Sequence, residues 1–86
     1  NLGYWIRASA AGQGHATRAT RLCARFGFEQ LGLARIEITA EPENIPSLRV
    51  AEKAGAVREG IARHKVQVRG GPRDVVVFSL LPEDLR

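Results

Sequence analysis

The sequence predicts a mixed α/β fold with the order β-α-β-α-β-β. Three observations predict it. Apolar residues recur at helical spacing from His15 to Leu31. Ala34 to Ala40 alternates apolar and polar positions, as a strand with one buried face does. Finally, Val57 to Val68 and Arg73 to Leu81 are strand-like runs joined by Arg69-Gly70-Gly71-Pro72, a hairpin turn.

Leu2 to Arg7 opens the series as a strand, because Tyr4, Trp5 and Ile6 are residue types enriched in sheets. Ser9-Ala10-Ala11-Gly12 reads as a turn. In the helix that follows, Ala16, Ala19, Leu22, Cys23 and Phe26 form the apolar stripe, with Arg18, Arg21, Arg25 and Glu29 opposite. Gly32 is placed to cap its end. Pro42-Glu43-Asn44 breaks the next strand, and Asn44 is a good N-cap for a helix reaching Ala54. Pro46 sits in the first turn, where the missing N–H costs nothing, and Gly55 ends the helix. Gly60 is a candidate interruption of the strand after it. Any parallel pair joined by a helix takes a right-handed crossover.

At 86 residues the chain is a single domain at most, a size that buries only about 60–65% of its extended surface. No apolar run approaches the ~20 residues of a membrane span. One cysteine excludes an internal disulfide and a cysteine metal cluster, and suits a reducing, cytoplasmic compartment. The net charge of +4 rests on an arginine-rich set spread along the chain. It fits a polyanionic cofactor, an acidic protein or a plain solvated surface; without an aromatic signature, nucleic acid is the weakest of its readings. There is no methionine, and the chain reads as a piece of a longer protein.

The most informative segment is Gly12-Gln13-Gly14-His15-Ala16-Thr17, two glycines between a strand and a long helix. Such a turn presents backbone N–H groups at a helix N-terminus, which favours an anion such as a phosphate. Glycine lets the main chain approach that anion closely and adopt positive φ. The bland alternative is a tight strand-to-helix turn.

This order of elements, with Leu2-Gly3-Tyr4-Trp5-Ile6, the glycine loop, Pro42-Glu43-Asn44-Ile45-Pro46-Ser47-Leu48-Arg49-Val50-Ala51-Glu52-Lys53-Ala54-Gly55-Ala56, Val57-Arg58-Glu59-Gly60 and Asp74 to Leu81, resembles the C-terminal half of the GNAT acetyltransferase superfamily. Within it the chain is most similar to the ribosomal-protein-alanine N-acetyltransferases. The resemblance implies an acyl-CoA N-acyltransferase fold, residues 1–86 being one partial domain without the N-terminal strands and helices. It also implies acetyl-CoA as co-substrate, no metal, and direct acetyl transfer to a primary amine, with a protein N-terminal α-amine the expected acceptor. The alternative is a non-catalytic CoA-binding half-domain that needs a partner half. On either reading the first strand's exposed edge implies a homo-oligomer, with no membrane partner.

Residue by residue, the resemblance places backbone donors of Ile6, Arg7 and Ala8 at the acetyl oxygen. It places Gly12, Gln13, Gly14, His15, Ala16 and Thr17 at the pyrophosphate, and Asn44 on the pantetheine arm. Many branches carry a tyrosine as general acid where this chain has Ala51. Ser47 is the implied substitute, its other reading being a first-turn serine bonded locally to backbone. Ser9 also departs from the usual Arg or Gln before the loop. Cys23 is expected in the core and His64 on the surface. Glu37 and Glu41 are the acids expected near the thioester, by default solvated strand-end carboxylates.

Overall fold

The computed structural model describes residues 5–7 and 13–85. Four strands form one sheet in the order β1-β2-β4-β3: β1 (Trp5–Arg7), β2 (Ile36–Ala40), β3 (Val57–Val68) and β4 (Gly71–Leu80). β1 runs parallel to β2 with Ile6 opposite Ile38, while β4 is antiparallel to both β2 and β3. Helix α1 (Gln13–Gln30) connects the parallel pair, and α2 (Ile45–Lys53) follows β2. A short 3₁₀ turn, Pro82–Leu85, closes the chain.

Both helices cover one sheet face. Ile36, Ile38 and Ala40 of β2 and Val76, Phe78 and Leu80 of β4 pack there against Ala24 of α1 and Leu48 and Ala51 of α2. The expected alternation of β2 holds on this face, but Thr39 on the other is buried too. α1 packs tightly at Gly27, where an added Cβ would stand 2.9 Å from Leu33 Cδ1 and 3.2 Å from Ile36 Cδ1. It ends as expected, with Gly32 left-handed at φ 67°. α2 ends at Ala54, and Gly55 turns the chain at φ 99°.

The stripe assigned to α1 from spacing does not face the core. Leu22 and Phe26 are 60% and 58% exposed, and Cys23 is exposed as well, which corrects its expected core position. The buried positions are Thr20, Ala24 and Gly27 instead. Helical spacing gives the existence of a stripe, but two stripes here are nearly apolar, and only contact with the sheet selects between them.

Gly60 does not interrupt β3. It marks a bulge: Arg58 pairs with Phe78 and Gly60 with Val77, so Glu59 is the extra residue. A second irregularity sets Arg63, His64 and Lys65 against Asp74. There His64 is left-handed at φ 51° and its N–H donates to Asp74 Oδ1 at 2.9 Å. The hairpin loop is shorter than the sequence suggests. Val68 pairs with Gly71, leaving Arg69-Gly70 as the loop and Pro72 inside β4 opposite Gln67.

Candidate active site at the carboxyl ends of the parallel strands

Because β1 and β2 are parallel neighbours and each is followed by a helix on the same face, α1 and α2 both begin at the carboxyl edge of that pair. Open α/β sheets bind ligands at such an edge. Neither helix carries an acid in its first turn. The positive ends of both dipoles therefore face this edge without a carboxylate of their own first turns to neutralise them.

The α2 end is built from two residues that the sequence singles out. Asn44 is the N-cap: its Oδ1 accepts from the Ser47 backbone N–H at 3.3 Å. Ser47 is only 1% exposed, and its Oγ has no hydrogen-bond partner among the described residues. The local backbone bond of the alternative reading is thus not made. Leaving such a hydroxyl unpaired costs about 1–3 kcal/mol. Two further hydroxyls share this condition, Thr17 Oγ1 and Thr39 Oγ1. Thr17 is one turn into α1, and Thr39 pairs with Arg7 at the last rung of the parallel ladder. All three lie on elements that converge on one edge.

Gly14, His15, Ala16 and Thr17 lie in the first turns of α1, and Gln13 is its first residue. Gly14 is helical rather than left-handed, so the positive φ expected of the loop does not occur there. What its missing side chain provides is space: a Cβ would meet nothing within 4 Å. His15 is exposed, and Ala16 and Thr17 are half-buried. Ile6 and Arg7 form β1 with Ile38 and Thr39 as partners; Ala8, Ser9 and Gly12 lie outside the described residues. Ala51 is fully buried in the core.

Glu37 belongs to a different constellation. It is half-buried, accepts from Arg35 Nη2 at 3.1 Å and has Lys65 Nζ at 4.0 Å. A solvated strand-end carboxylate is therefore the wrong description of it. Arg35 also makes a forked pair with Glu59, Nη1 to Oε2 at 3.2 Å and Nη2 to Oε1 at 3.0 Å. Those bonds, and a further one from Ser79, hold the Glu59 carboxyl below its ordinary range, and the same pair raises Arg35. Glu41 bonds through its backbone, its carbonyl accepting from Asn44 N–H at 3.0 Å. His64 is exposed, as expected. A groove of about 310 Å³ lined by Arg25, Phe28, Glu29, Pro82 and Leu85 lies at the opposite end of α1 and contains none of the site residues expected from the sequence. Among the described residues no group of His, Cys, Asp or Glu could hold a metal ion, and no helix is long and apolar enough to cross a membrane.

The acetyltransferase (GNAT) domain family matches residues 1–57. The chain belongs to the GNAT acetyltransferase family. Over 83 residues it is 41% identical to a protein of Bacillus subtilis named probable N-acetyltransferase YjcK, covering 96% of this chain and 46% of that protein. Among solved structures it is similar to Mycobacterium smegmatis RimJ in complex with CoA-disulfide, with TM-score 0.76 and 35% identity over 87% of this chain and 36% of that one. It is also similar to the ribosomal-protein-S5-alanine acetyltransferase of Vibrio fischeri, with TM-score 0.73 and 28% identity over 88% and 42%. The GNAT chain thus spans about half the length of the curated relative it matches.

Two residues went unread in the sequence, Thr39 at the edge and Arg21 at the far end of α2. Thr39 looks like any polar position of an alternating strand, and its burial depends on what covers the second face. Arg21 looks like Arg18 and Arg25, yet its guanidinium bonds to two carbonyls across the helix layer.

Proposed function

We propose that the GNAT chain carries the cofactor half of an acetyl-CoA-dependent N-acetyltransferase that transfers acetyl directly to a primary amine, a protein N-terminal α-amine being the acceptor. The observation that carries this reading is the buried Ser47 Oγ in the first turn of α2, unpartnered among the described residues and beside the N-cap Asn44. A ligand thiol or amide at that edge would satisfy it. The residues fit the cofactor: an acid-free first turn of α1 and open space at Gly14 suit a diphosphate, and Asn44 keeps its amide nitrogen for the pantetheine arm.

Acetyl-CoA supplies an acetyl group activated as a thioester. The amine nitrogen forms the new C–N bond while the C–S bond breaks. Backbone donors of Ile6, Arg7 and Ala8 stabilise the oxygen that gains charge. Ser47 Oγ would hand its proton to the departing sulfur, the role Ala51 cannot fill, and be reprotonated through solvent by the proton that the nitrogen sheds as it becomes the amide. An α-amine, with a pKa of about 7.7–8.0 against ~10.4 for lysine, is already substantially neutral near pH 7.5 and needs little help from a base. That matches Glu37, whose carboxylate is engaged by Arg35. Titration calorimetry with CoA and with an RNA duplex tests the cofactor assignment. Binding of CoA alone supports it; binding of RNA alone would replace it with a basic nucleic-acid module.

A second reading, a half-domain that associates before it acts, has its own observation. Arg21 faces α2, whereas Leu22, Cys23 and Phe26 lie on the other flank of α1, apolar and exposed. Among the described residues β1 is also a terminal strand of the sheet. An apolar flank beside an open strand edge recruits another chain. Light scattering at micromolar concentration is expected to report a dimer or larger species, and Phe26→Asp to shift it toward monomer. A sharp monomer in the parent would sink this reading.

A further inference from the structure

Arg21 leaves α1 and crosses to the far end of α2. Its Nη1 donates to Ala54 O at 2.8 Å, the carbonyl of the α2 C-cap, and its Nη2 donates to Leu85 O at 3.2 Å in the closing 3₁₀ turn. A cation against the carbonyl end of a helix is favoured by the dipole, and a guanidinium can bond two acceptors at once. The junction is tight. A Cβ on Gly55 would stand 2.9 Å from Asp84 O and 3.4 Å from Arg21 Nη1, and Gly55 is left-handed at φ 99°. Three elements are therefore joined at one guanidinium, with no slack for a bulkier residue.

The position of this clasp along the helices matters. Arg21 is eight residues into α1 from Gln13, and Ala54 is nine beyond Ile45, where α2 begins. At 1.5 Å per residue these are ~12 and ~13.5 Å from the respective N-termini. The two helices start at the same sheet edge, so the bond from Arg21 to Ala54 sets their relative slide. We infer that Arg21 is a positioning residue, fixing the axial register of α1 against α2 and so the spacing between the diphosphate end at Gly14 and the arm end at Asn44 and Ser47. This rests on the cofactor reading above. Arg21 touches no ligand; it acts by keeping the two helix ends at the separation that one CoA molecule spans. Arg18 and Arg25 on the same helix are exposed and serve as controls.

The experiment uses CoA, ADP and pantetheine as separate probes, titrated by ligand-observed NMR and calorimetry against the parent, Arg21→Met, Arg21→Lys and Arg18→Met. Methionine keeps part of the apolar stem and removes both bonds; lysine keeps a cation able to reach one carbonyl. The expected result is that Arg21→Met weakens CoA about tenfold while ADP and pantetheine stay within about twofold, because each fragment engages only one helix end. Arg21→Lys should recover part of the loss, and Arg18→Met should match the parent. If CoA and both fragments weaken alike in Arg21→Met, or if CoA is unaffected, the positioning role is overturned while the cofactor reading stands on the parent's binding. If Arg21→Met loses its helical circular dichroism, the Lys variant decides by the same ratio. A parent that binds no CoA overturns the cofactor reading, and this inference with it.

Discussion

Two polar regions of this molecule are built on opposite terms. On the sheet face away from the helices, Arg35, Glu37, Glu59 and Lys65 carry full charges, remain partly exposed and find partners among themselves. At the carboxyl edge of β1 and β2, Thr17, Thr39 and Ser47 carry no charge, yet their hydroxyl oxygens are buried without partners among the described residues. The charged region looks more like a site on first inspection, since a carboxyl held below its ordinary range lies within it. Satisfaction decides the matter in the other direction. A paired surface network has already spent its bonding capacity on itself, and its contribution is modest. An orphaned hydroxyl in a native interior has a bond to give, and the fold tolerates its cost of about 1–3 kcal/mol where function repays it.

The largest effect should come at the edge. Gly14→Val places a branched side chain in the space beside the first turn of α1, where a Cβ now meets nothing. Valine is no worse than glycine in a helix interior, so the far-UV circular dichroism should be unchanged. CoA affinity should fall about a hundredfold, or about 2.7 kcal/mol. Retention within a few-fold would remove the diphosphate from this end of α1. Ser47→Ala comes next. In a chain complete enough to turn over, kcat should drop roughly a hundredfold, in the range of a lost general acid, with CoA affinity within about threefold. The same change should raise stability by up to about 1 kcal/mol, since it deletes an unpaired buried hydroxyl. Activity and stability moving in opposite directions is the signature; if both fall, Ser47 is a packing residue.

Asn44→Ala tests the cap that aims this end of α2. Loss of the Oδ1 bond to the Ser47 N–H should cost about 1 kcal/mol, a fall of roughly 4–8 °C in a domain of this size. Asn44→Asp should retain most of that stability, because a carboxylate at an N-cap accepts the same bond. If the Asp variant also keeps CoA binding, the side-chain nitrogen of Asn44 is not needed on the arm.

Much of this was legible in the sequence, and the parts that were not share a cause. Element order, the Asn44 cap, and the Gly32 and Gly55 stops follow from local chemistry, and each is where the residues put it. The inward face of α1 does not follow from local chemistry. Leu22, Cys23 and Phe26 make as good a stripe as Thr20, Ala24 and Gly27, and only the close approach of β2 to Gly27 distinguishes them. The bulge at Glu59 was half visible, because a glycine inside a strand often marks one, but its partner Arg35 is 24 residues away. For the candidate site, Asn44 and Ser47 were named from resemblance, whereas the unpaired state of Ser47 needed the packing around it. Thr39 and Arg21 were invisible: their roles depend on burial and on carbonyls that composition does not encode.

The smallest effect belongs to the charged face, and its sign separates the two regions. The Glu59 carboxyl is held below its ordinary range chiefly by the bonds from Arg35, then by that from Ser79. A carboxyl whose pKa is depressed on folding contributes stability that is fully present above its unfolded value and is lost as pH falls through the folded value. The parent should therefore lose thermal stability as pH is lowered through and below the ordinary glutamate range. Glu59→Gln, which keeps an acceptor but cannot ionise, should lose less over the same window. Near neutral pH the variant should melt slightly lower than the parent, and the gap should close in acid. Both side chains of the pair are about 40% exposed, so salt should shrink the gap, with most of it gone at 1 M, where the screening length is about 3 Å. CoA affinity should not change at any pH in the series, because the network stands apart from the edge where Gly14, Asn44 and Ser47 lie. If Glu59→Gln instead weakened CoA binding while leaving the acid profile of the melt untouched, the assignment of the two regions would be reversed. The paired charges would then be the functional ones, and the orphaned hydroxyls a packing compromise.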